Sequence, residues 1–208
     1  MHMRENTIKE KIYNRINQSA YGSVFVVSDF LDIADNSAIK QNLKRFADAG
    51  IIERVITGLY YKPKYSEIMK ENTAVDINEA AKGIARYYNW TICPSGETAL
   101  NMLGLSTQVP ACYEYISSGP YKEYEIDGIP ISFRHRSLKE TQGFSSITAL
   151  VIQSIKSIGK DNIIEKEIEI IKSKLSEQDK KLILAEGQKT TAWIYQVIKR
   201  ICSEVSNV

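Results

Sequence analysis

Apolar residues near the start of the chain recur at helical spacing. Ile8, Ile12 and Ile16 form a single stripe, which predicts a helix over about 5–18. The run 24–26 is short and β-prone, so it predicts a strand. The chain is therefore expected to begin with one amphipathic helix and one short strand.

Two further helices and a hairpin are predicted next. Ser28 is placed to cap a short second helix, and Asn36 is placed to cap a third. The third helix has a stripe at i, i+4, i+7 and i+8, formed by Ile39, Leu43, Phe46 and Ala47. The β-prone runs 51–56 and 59–62 flank Thr57-Gly58 and predict a hairpin.

This order of elements is typical of a winged helix-turn-helix, which we place in a first domain of residues 1–65. The second domain, 66–208, is predicted to be mixed α+β with a small antiparallel sheet and C-terminal helices. Asp127-Gly128 between two β-prone runs is a strong hairpin signal in that sheet. Helical stripes follow from residue 145 onward. The expected fold class is therefore α+β.

The composition is that of an ordinary soluble globular protein, with 43% hydrophobic and 25% charged residues. No apolar run is long enough to span a bilayer, so we expect no membrane partner. The cysteines, Cys93, Cys112 and Cys202, are scattered and lack the spacing of a zinc site or a disulfide framework. A cytoplasmic protein without metal or cofactor is the expectation.

The charge is distributed unevenly along the chain. The whole chain has a formal net charge of +2. The segment through Lys64 holds ten basic and seven acidic residues. Its net charge of +3 therefore exceeds the net charge of the whole chain. A local basic segment of this kind is compatible with nucleic-acid binding.

The third predicted helix presents a polar face opposite its apolar stripe. This face carries Asp48 and five residues suited to bind DNA, namely Ser37, Gln41, Lys44 and Arg45, with Lys40 at its edge. Glutamine can read adenine edges in the major groove, arginine and lysine can read guanine, and both cations also bind phosphates. Arg54, Lys62 and Lys64 would add charge on or beside the hairpin. These eight residues are the predicted DNA-binding set, and the alternative interpretation is that they are solvated helix and strand faces.

Two stretches of the chain resemble known families. The hairpin residues Gly58-Leu59-Tyr60-Tyr61-Lys62-Pro63 resemble the wing of AbiEi-type abortive-infection antitoxins, which commonly reads basic-Gly-aliphatic-Tyr. Residues 94–110, PSGETALNMLGLSTQVP, resemble the signature of a related family of uncharacterised proteins grouped with those antitoxins. Thr57 departs from the wing pattern, because a basic residue often precedes the glycine there.

The resemblance implies a non-enzymatic repressor that binds inverted repeats of double-stranded DNA in its own promoter. It also implies the antitoxin of a type IV toxin–antitoxin operon, in which the partner gene encodes a nucleotidyltransferase-like toxin. Whether antitoxin and toxin form a stable complex stays open.

The polar members of the second stretch are Ser95, Glu97, Thr98, Asn101 and Gln108. One interpretation is a ligand or partner groove at a helix N-terminus, where unpaired N–H groups attract anions. The other is structural, with Ser95 capping the helix while Gly96 and Gly104 shape its ends.

Two other functions are compatible with the sequence. The protein could be an interaction module whose C-terminal part binds and inhibits a partner enzyme. It could also be a metal-dependent nuclease, for which Glu123, Glu125 and Asp127 would project from one strand face. No metal-binding motif accompanies these carboxylates.

Overall fold

The structure is a computed structural model that describes residues 7–136 and 143–203. Its fold class is mixed α+β, as predicted. The chain forms two compact units, of which the first runs through Trp90 with Ile126–Gly128 added, and the second holds Thr91–Glu125 and the residues from Ile129 onward. The division falls after Trp90 instead of after residue 65, because the helix that follows residue 76 packs within the first unit.

The first unit orders its elements as helix, strand, 3₁₀ turn, helix, hairpin, short hairpin and helix. These are α1 (Ile8–Gln18), β1 (Val24–Val26), the 3₁₀ turn Val27–Phe30, α2 (Asn36–Asp48), β2 (Glu53–Ile56), β3 (Leu59–Tyr61), β4 (Tyr65–Ser66), β5 (Glu71–Asn72) and α3 (Ile77–Tyr88). Strands β1, β3 and β2 form an antiparallel sheet in that order, and β4 pairs with β5. The buried core of this unit includes Ile12, Ile16, Phe30, Ile39, Leu43, Phe46, Ile52 and Tyr60.

A side-chain cap fixes the start of α2. The Asp35 carboxylate accepts a hydrogen bond from the backbone N–H of Ala38 at 2.9 Å. Asp35 is therefore the N-cap and Asn36 is the first helical residue, so the helix begins one position earlier than the sequence pattern predicts. From that start, the stripe through Ile39, Leu43 and Phe46 falls on the buried side, as predicted.

The predicted second helix is reduced to the single 3₁₀ turn Val27–Phe30. Val26, not Ser28, is its N-cap, and the Asp29 carboxylate accepts from the backbone N–H of Val26 at 2.9 Å. Arg15 of α1 donates to the Asp29 carbonyl oxygen at 2.6 Å. These bonds hold the short connection in place without an α-helix.

Helix α3 packs against β1 and β3 at a glycine. A Cβ atom on Gly83 would lie 2.5 Å from Leu59 Cδ1 and 2.6 Å from Val24 Cγ1, both of which belong to buried side chains. Arg86 lies almost one turn later and donates to the Val24 carbonyl oxygen at 2.8 Å. It also forms an ion pair with Asp29 at 3.2 Å. Close packing and these polar contacts together fix α3 on the sheet.

The second unit combines a sheet with helices. Its elements are β6 (Ile92–Pro94), α4 (Gly96–Met102), β7 (Tyr113–Ser117), β8 (Lys122–Ile126), β9 (Ile129–His135), α5 (Ser146–Ile158), α6 (Glu165–Ser173), α7 (Glu177–Gly187) and α8 (Ala192–Cys202). The strand order is β6-β7-β9-β8. Strands β6 and β7 run antiparallel, whereas β7 and β9 run parallel. The sheet is therefore mixed, where a wholly antiparallel one was expected, because a connection containing β8 lets β9 return beside β7 in the same direction.

The C-terminal helices share one apolar core. It includes Ile155 of α5, Ile171 of α6, Ile183 of α7 and Ile198 of α8. Across the described ranges, none of the helices combines the length and the apolar character needed to cross a membrane.

Candidate nucleic-acid interface

Helix α2 presents a polar face on the side opposite its buried stripe. All five residues predicted for this face are exposed, namely Ser37, Lys40, Gln41, Lys44 and Arg45. None of these side chains forms a hydrogen bond or ion pair with any residue in the described part of the chain. The face is therefore available to a partner without the loss of an existing contact.

The hairpin residues differ in how strongly the fold already engages them. Arg54 is exposed, but its guanidinium donates to the Thr57 hydroxyl oxygen at 2.8 Å. Thr57 thus orients a neighbouring cation in a turn where a basic residue was expected. Lys64 is exposed and its side chain has no contact of this kind among residues 7–136 and 143–203.

Lys62 occupies a structural position at the end of α1. Its ammonium group donates to the carbonyl oxygens of Asn17 at 2.7 Å and Ser19 at 2.9 Å. The same group lies 4.8 Å from the centre of the Tyr21 ring. A cation at a helix C-terminus stabilises the unpaired carbonyl groups there. Lys62 therefore closes α1, and a phosphate would have to compete with these contacts.

A groove runs between α2 and the β2–β3 hairpin. Its volume is about 680 Å³, and Lys40, Lys44 and Asp48 of α2 line it together with Arg54, Thr57 and Gly58 of the hairpin. Tyr87, from the end of α3, also lines it. The groove thus collects three of the predicted cations beside the exposed face of α2.

Tyr87 is a residue of this region that the sequence does not indicate. Gly58 has φ +85°, and a Cβ there would lie only 2.8 Å from Cε2 of the Tyr87 ring. The hairpin turn therefore needs glycine both for its backbone conformation and for the space that the ring occupies. The contact cannot be predicted from the sequence pattern, because Tyr87 lies 29 positions after Gly58 and belongs to helix α3, whereas Gly58 lies in the hairpin turn.

The residues of the 94–110 stretch are engaged within the second unit. Thr98 is buried, and its hydroxyl oxygen accepts from the backbone N–H of Glu114 at 2.8 Å. Asn101 donates to the carbonyl oxygens of Ser106 at 3.3 Å and Gln108 at 3.0 Å. These contacts tie helix α4 to β7 and to the loop that follows the helix, which favours the structural interpretation of this stretch.

The other polar members of the stretch contribute less. Ser95 lies at the N-cap position of α4, but its side chain forms no capping bond, and its backbone N–H donates to the Glu114 carbonyl oxygen at 2.9 Å. The side chains of Glu97 and Gln108 are exposed and form no hydrogen bond with a described residue. A Cβ on Gly96, which has φ +56°, would collide with the Glu114 carboxylate. The glycine is therefore required where α4 begins beside this carboxylate.

The carboxylates considered for a nuclease do not form a metal centre. Glu123 and Glu125 of β8 are exposed, and Glu123 accepts a hydrogen bond from Tyr121. Within the described residues, no group of three or more His, Cys, Asp or Glu side chains is arranged to hold a metal ion. Burial raises the pKa of the Cys93 thiol to about 12, so Cys93 is a protonated core residue at neutral pH.

The chain is similar to one described protein family and, distantly, to a solved structure. The sequence model of a family of unknown function, DUF6088, matches residues 11–183. No curated protein matches the chain. The crystal structure of the RV2827C protein from Mycobacterium tuberculosis is similar at 11% identity and a TM-score of 0.42, over 97% of this chain and 78% of that one. A TM-score this low carries neither fold nor function from that protein to this one.

Proposed function

We propose that this chain, which belongs to the DUF6088 family of unknown function, is a sequence-specific DNA-binding repressor. The first unit would act as a winged helix-turn-helix, with α2 as the recognition helix and the β2–β3 hairpin as the wing. The observation that carries this proposal is the exposed, unengaged polar face of α2. Long cationic and amide side chains that the fold leaves unpaired are suited to contact base edges and phosphates.

The residues of this face would divide between reading bases and holding the backbone. Gln41 lies near the middle of α2, where its amide can bind an adenine edge with two hydrogen bonds. Lys44 and Arg45 follow at the exposed side and would bind phosphates or guanine edges. Lys64 would add a phosphate contact beside the wing, because its ammonium group is exposed.

The antitoxin role is the part of the proposal that rests on the family resemblance. The wing residues 58–63 and the stretch 94–110 support an AbiEi-type antitoxin. The repressor would then bind inverted repeats in its own promoter in the cytoplasm and counteract a nucleotidyltransferase-like toxin. Co-purification of a stable complex with the product of the adjacent gene would favour direct inhibition of that toxin over regulation alone.

A DNA-binding titration tests the repressor. Labelled duplex from just upstream of the gene and random duplex of equal length are titrated with the protein at a stated salt concentration, because phosphate contacts make affinity salt-dependent. A preference for the upstream duplex is expected, and equal affinity for both would contradict the proposal.

Two glutamine variants test the assigned face. Gln41→Ala should cost about 1–3 kcal/mol on the preferred site and little on random DNA, because it removes a base contact. Gln188→Ala is the matched control, since Gln188 is an exposed glutamine of the second unit. Equal losses for Gln41→Ala on both duplexes would show that Gln41 does not read a base.

A further inference from the structure

The end of α3 joins the proposed DNA-binding surface from outside the helix-turn-helix elements. Tyr87 lies one turn after Gly83, the point at which α3 packs against the sheet. Its ring packs on Gly58 in the turn of the β2–β3 hairpin. The position of the hairpin turn and the position of this tyrosine are therefore mechanically linked.

The hydroxyl group of Tyr87 has no hydrogen-bond partner among the described residues. The residue is 40% exposed, and its hydroxyl forms no hydrogen bond with any part of 7–136 or 143–203. The ring is held, in contrast, because it packs on Gly58 on one side and meets Tyr88 edge-on with a centroid distance of 4.8 Å. Tyr87 lines the groove, and a tyrosine whose ring is held while its hydroxyl is unpaired can hydrogen-bond a ligand with little loss of side-chain entropy.

The charge along the groove favours a phosphodiester backbone as that ligand. Lys40 and Lys44 lie one helical turn apart on the α2 side, and Arg54 lies on the hairpin side. Glu53 also lines the hairpin side, but its carboxylate accepts a hydrogen bond from the Tyr61 hydroxyl at 2.7 Å. Cations repeated along a groove match the repeated charges of a nucleic-acid strand better than one compact anion. Asp48, one further turn along α2, ends this cationic run.

We propose that Tyr87 is a DNA-contacting residue. Its hydroxyl donates a hydrogen bond to a phosphate of the strand that lies in the groove between α2 and the β2–β3 hairpin, while its ring supports the hairpin turn. This inference rests on the proposed DNA-binding function and extends it to a helix that the sequence places outside the motif. Phosphate contacts position a protein without reading sequence, so the effect must be the same on all duplexes.

Three variants of the full chain separate contact from support. Tyr87→Phe keeps the ring and removes only the hydroxyl, so it should weaken binding to the upstream duplex and to random duplex alike by about two- to tenfold. Its midpoint of urea unfolding should equal that of the wild type, because no internal bond is lost. Tyr87→Ala should weaken binding further, because the turn loses the ring. Tyr13→Phe is the matched control, since Tyr13 has the same 40% exposure and does not line the groove.

The outcomes distinguish this inference from the function on which it rests. If the wild type prefers the upstream duplex and Tyr87→Phe binds both duplexes as tightly as the wild type, the Tyr87 contact is refuted and the repressor stands. A loss confined to the upstream duplex, a lowered unfolding midpoint for Tyr87→Phe, or an equal loss in Tyr13→Phe would also overturn it. If the wild type binds no DNA at all, both proposals fail.

Discussion

Replacing Gly83 with alanine tests how closely α3 is seated on the sheet of the first unit. The added methyl group would lie 2.5 Å from Leu59 Cδ1 and 2.6 Å from Val24 Cγ1. Ordinary carbon–carbon contacts are about 3.5–4.0 Å, so each separation must grow by about 1 Å. Leu59 is 2% exposed and Val24 is 7% exposed, so neither side chain can move into solvent.

Two opposing effects determine how much Gly83→Ala changes the free energy of unfolding. Overpacking a filled core costs about 1–3 kcal/mol, and two buried side chains that must move together place this site in the upper half of that range. Alanine in a helix interior is favoured over glycine by about 1 kcal/mol. The net expectation for Gly83→Ala is therefore a loss of about 1–2 kcal/mol in the free energy of unfolding, where helix propensity alone predicts a gain.

The two tryptophans allow the first unit to be followed by itself. Trp90 belongs to the first unit and stacks on Tyr88 with a centroid distance of 4.6 Å, whereas Trp193 lies in the second unit. In a Trp193→Phe background, the fluorescence of Trp90 during urea unfolding reports the unit that contains Gly83. Following one unit matters because a chain of two units need not unfold in a single transition.

A double-mutant cycle isolates the steric cause. Leu59→Ala alone should cost about 2–5 kcal/mol, because it removes a buried side chain. In the double variant the alanine methyl partly fills the space that Leu59 vacates, so the two losses should fall short of additivity by about 1–2 kcal/mol. A stabilising Gly83→Ala, or strictly additive losses, would refute the close packing of α3 on β3.

Three further predictions concern other positions. Lys62→Met should lower the free energy of urea unfolding by about 1–2 kcal/mol, because α1 loses two charge-assisted hydrogen bonds at its C-terminus. Reduced DNA affinity with an unchanged free energy of unfolding would instead indicate that Lys62 contacts a phosphate. Glu186→Gln should remove about 1 kcal/mol of stability at neutral pH. Burial acts to raise the pKa of Glu186, but hydrogen bonds with Thr148 and Ser145 outweigh it and lower that pKa. Its contribution is therefore full above the unfolded pKa of about 4.3 and is lost as the pH falls through the lower folded pKa. The free energies of unfolding of variant and wild type should converge below that folded pKa, and a difference that persists in stronger acid would contradict this. Gly96→Ala should cost about 1–3 kcal/mol by thermal unfolding, because φ is +56° and the new Cβ meets Glu114, and a neutral result would exclude that geometry.

The exposed face of α2 could be predicted from the sequence because its cause is local. A one-sided stripe at Ile39, Leu43 and Phe46 fixes the rotation of the helix, and the positions of Gln41 and Lys44 follow from that rotation. The exact cap was harder to predict. Asp35 and Asn36 are both good capping residues, and only the geometry of the preceding turn selects the first.

The features that the sequence did not reveal depend on contacts between distant segments. Lys62 reads as an ordinary basic residue beside a hairpin, but its hydrogen-bond partners lie at Asn17 and Ser19, at least 43 positions earlier. Gly83 reads as a weak point in a helix, because glycine has low helix propensity. Its missing side chain allows α3 to approach β1 and β3 closely. Helical periodicity does not indicate which element a helix will pack against.

The seating of α3 on the sheet also has a consequence for how the protein is made. Chains fold as domains while they are synthesised, at about 5–20 residues per second. After β3, the last strand of the three-stranded sheet, residues 62–88 must be added before α3 is complete. Their synthesis takes roughly 1–5 s at that rate. During this interval Val24 and Leu59 lack the helix that covers them, so the nascent chain presents an apolar sheet face to molecular chaperones before its first unit can close.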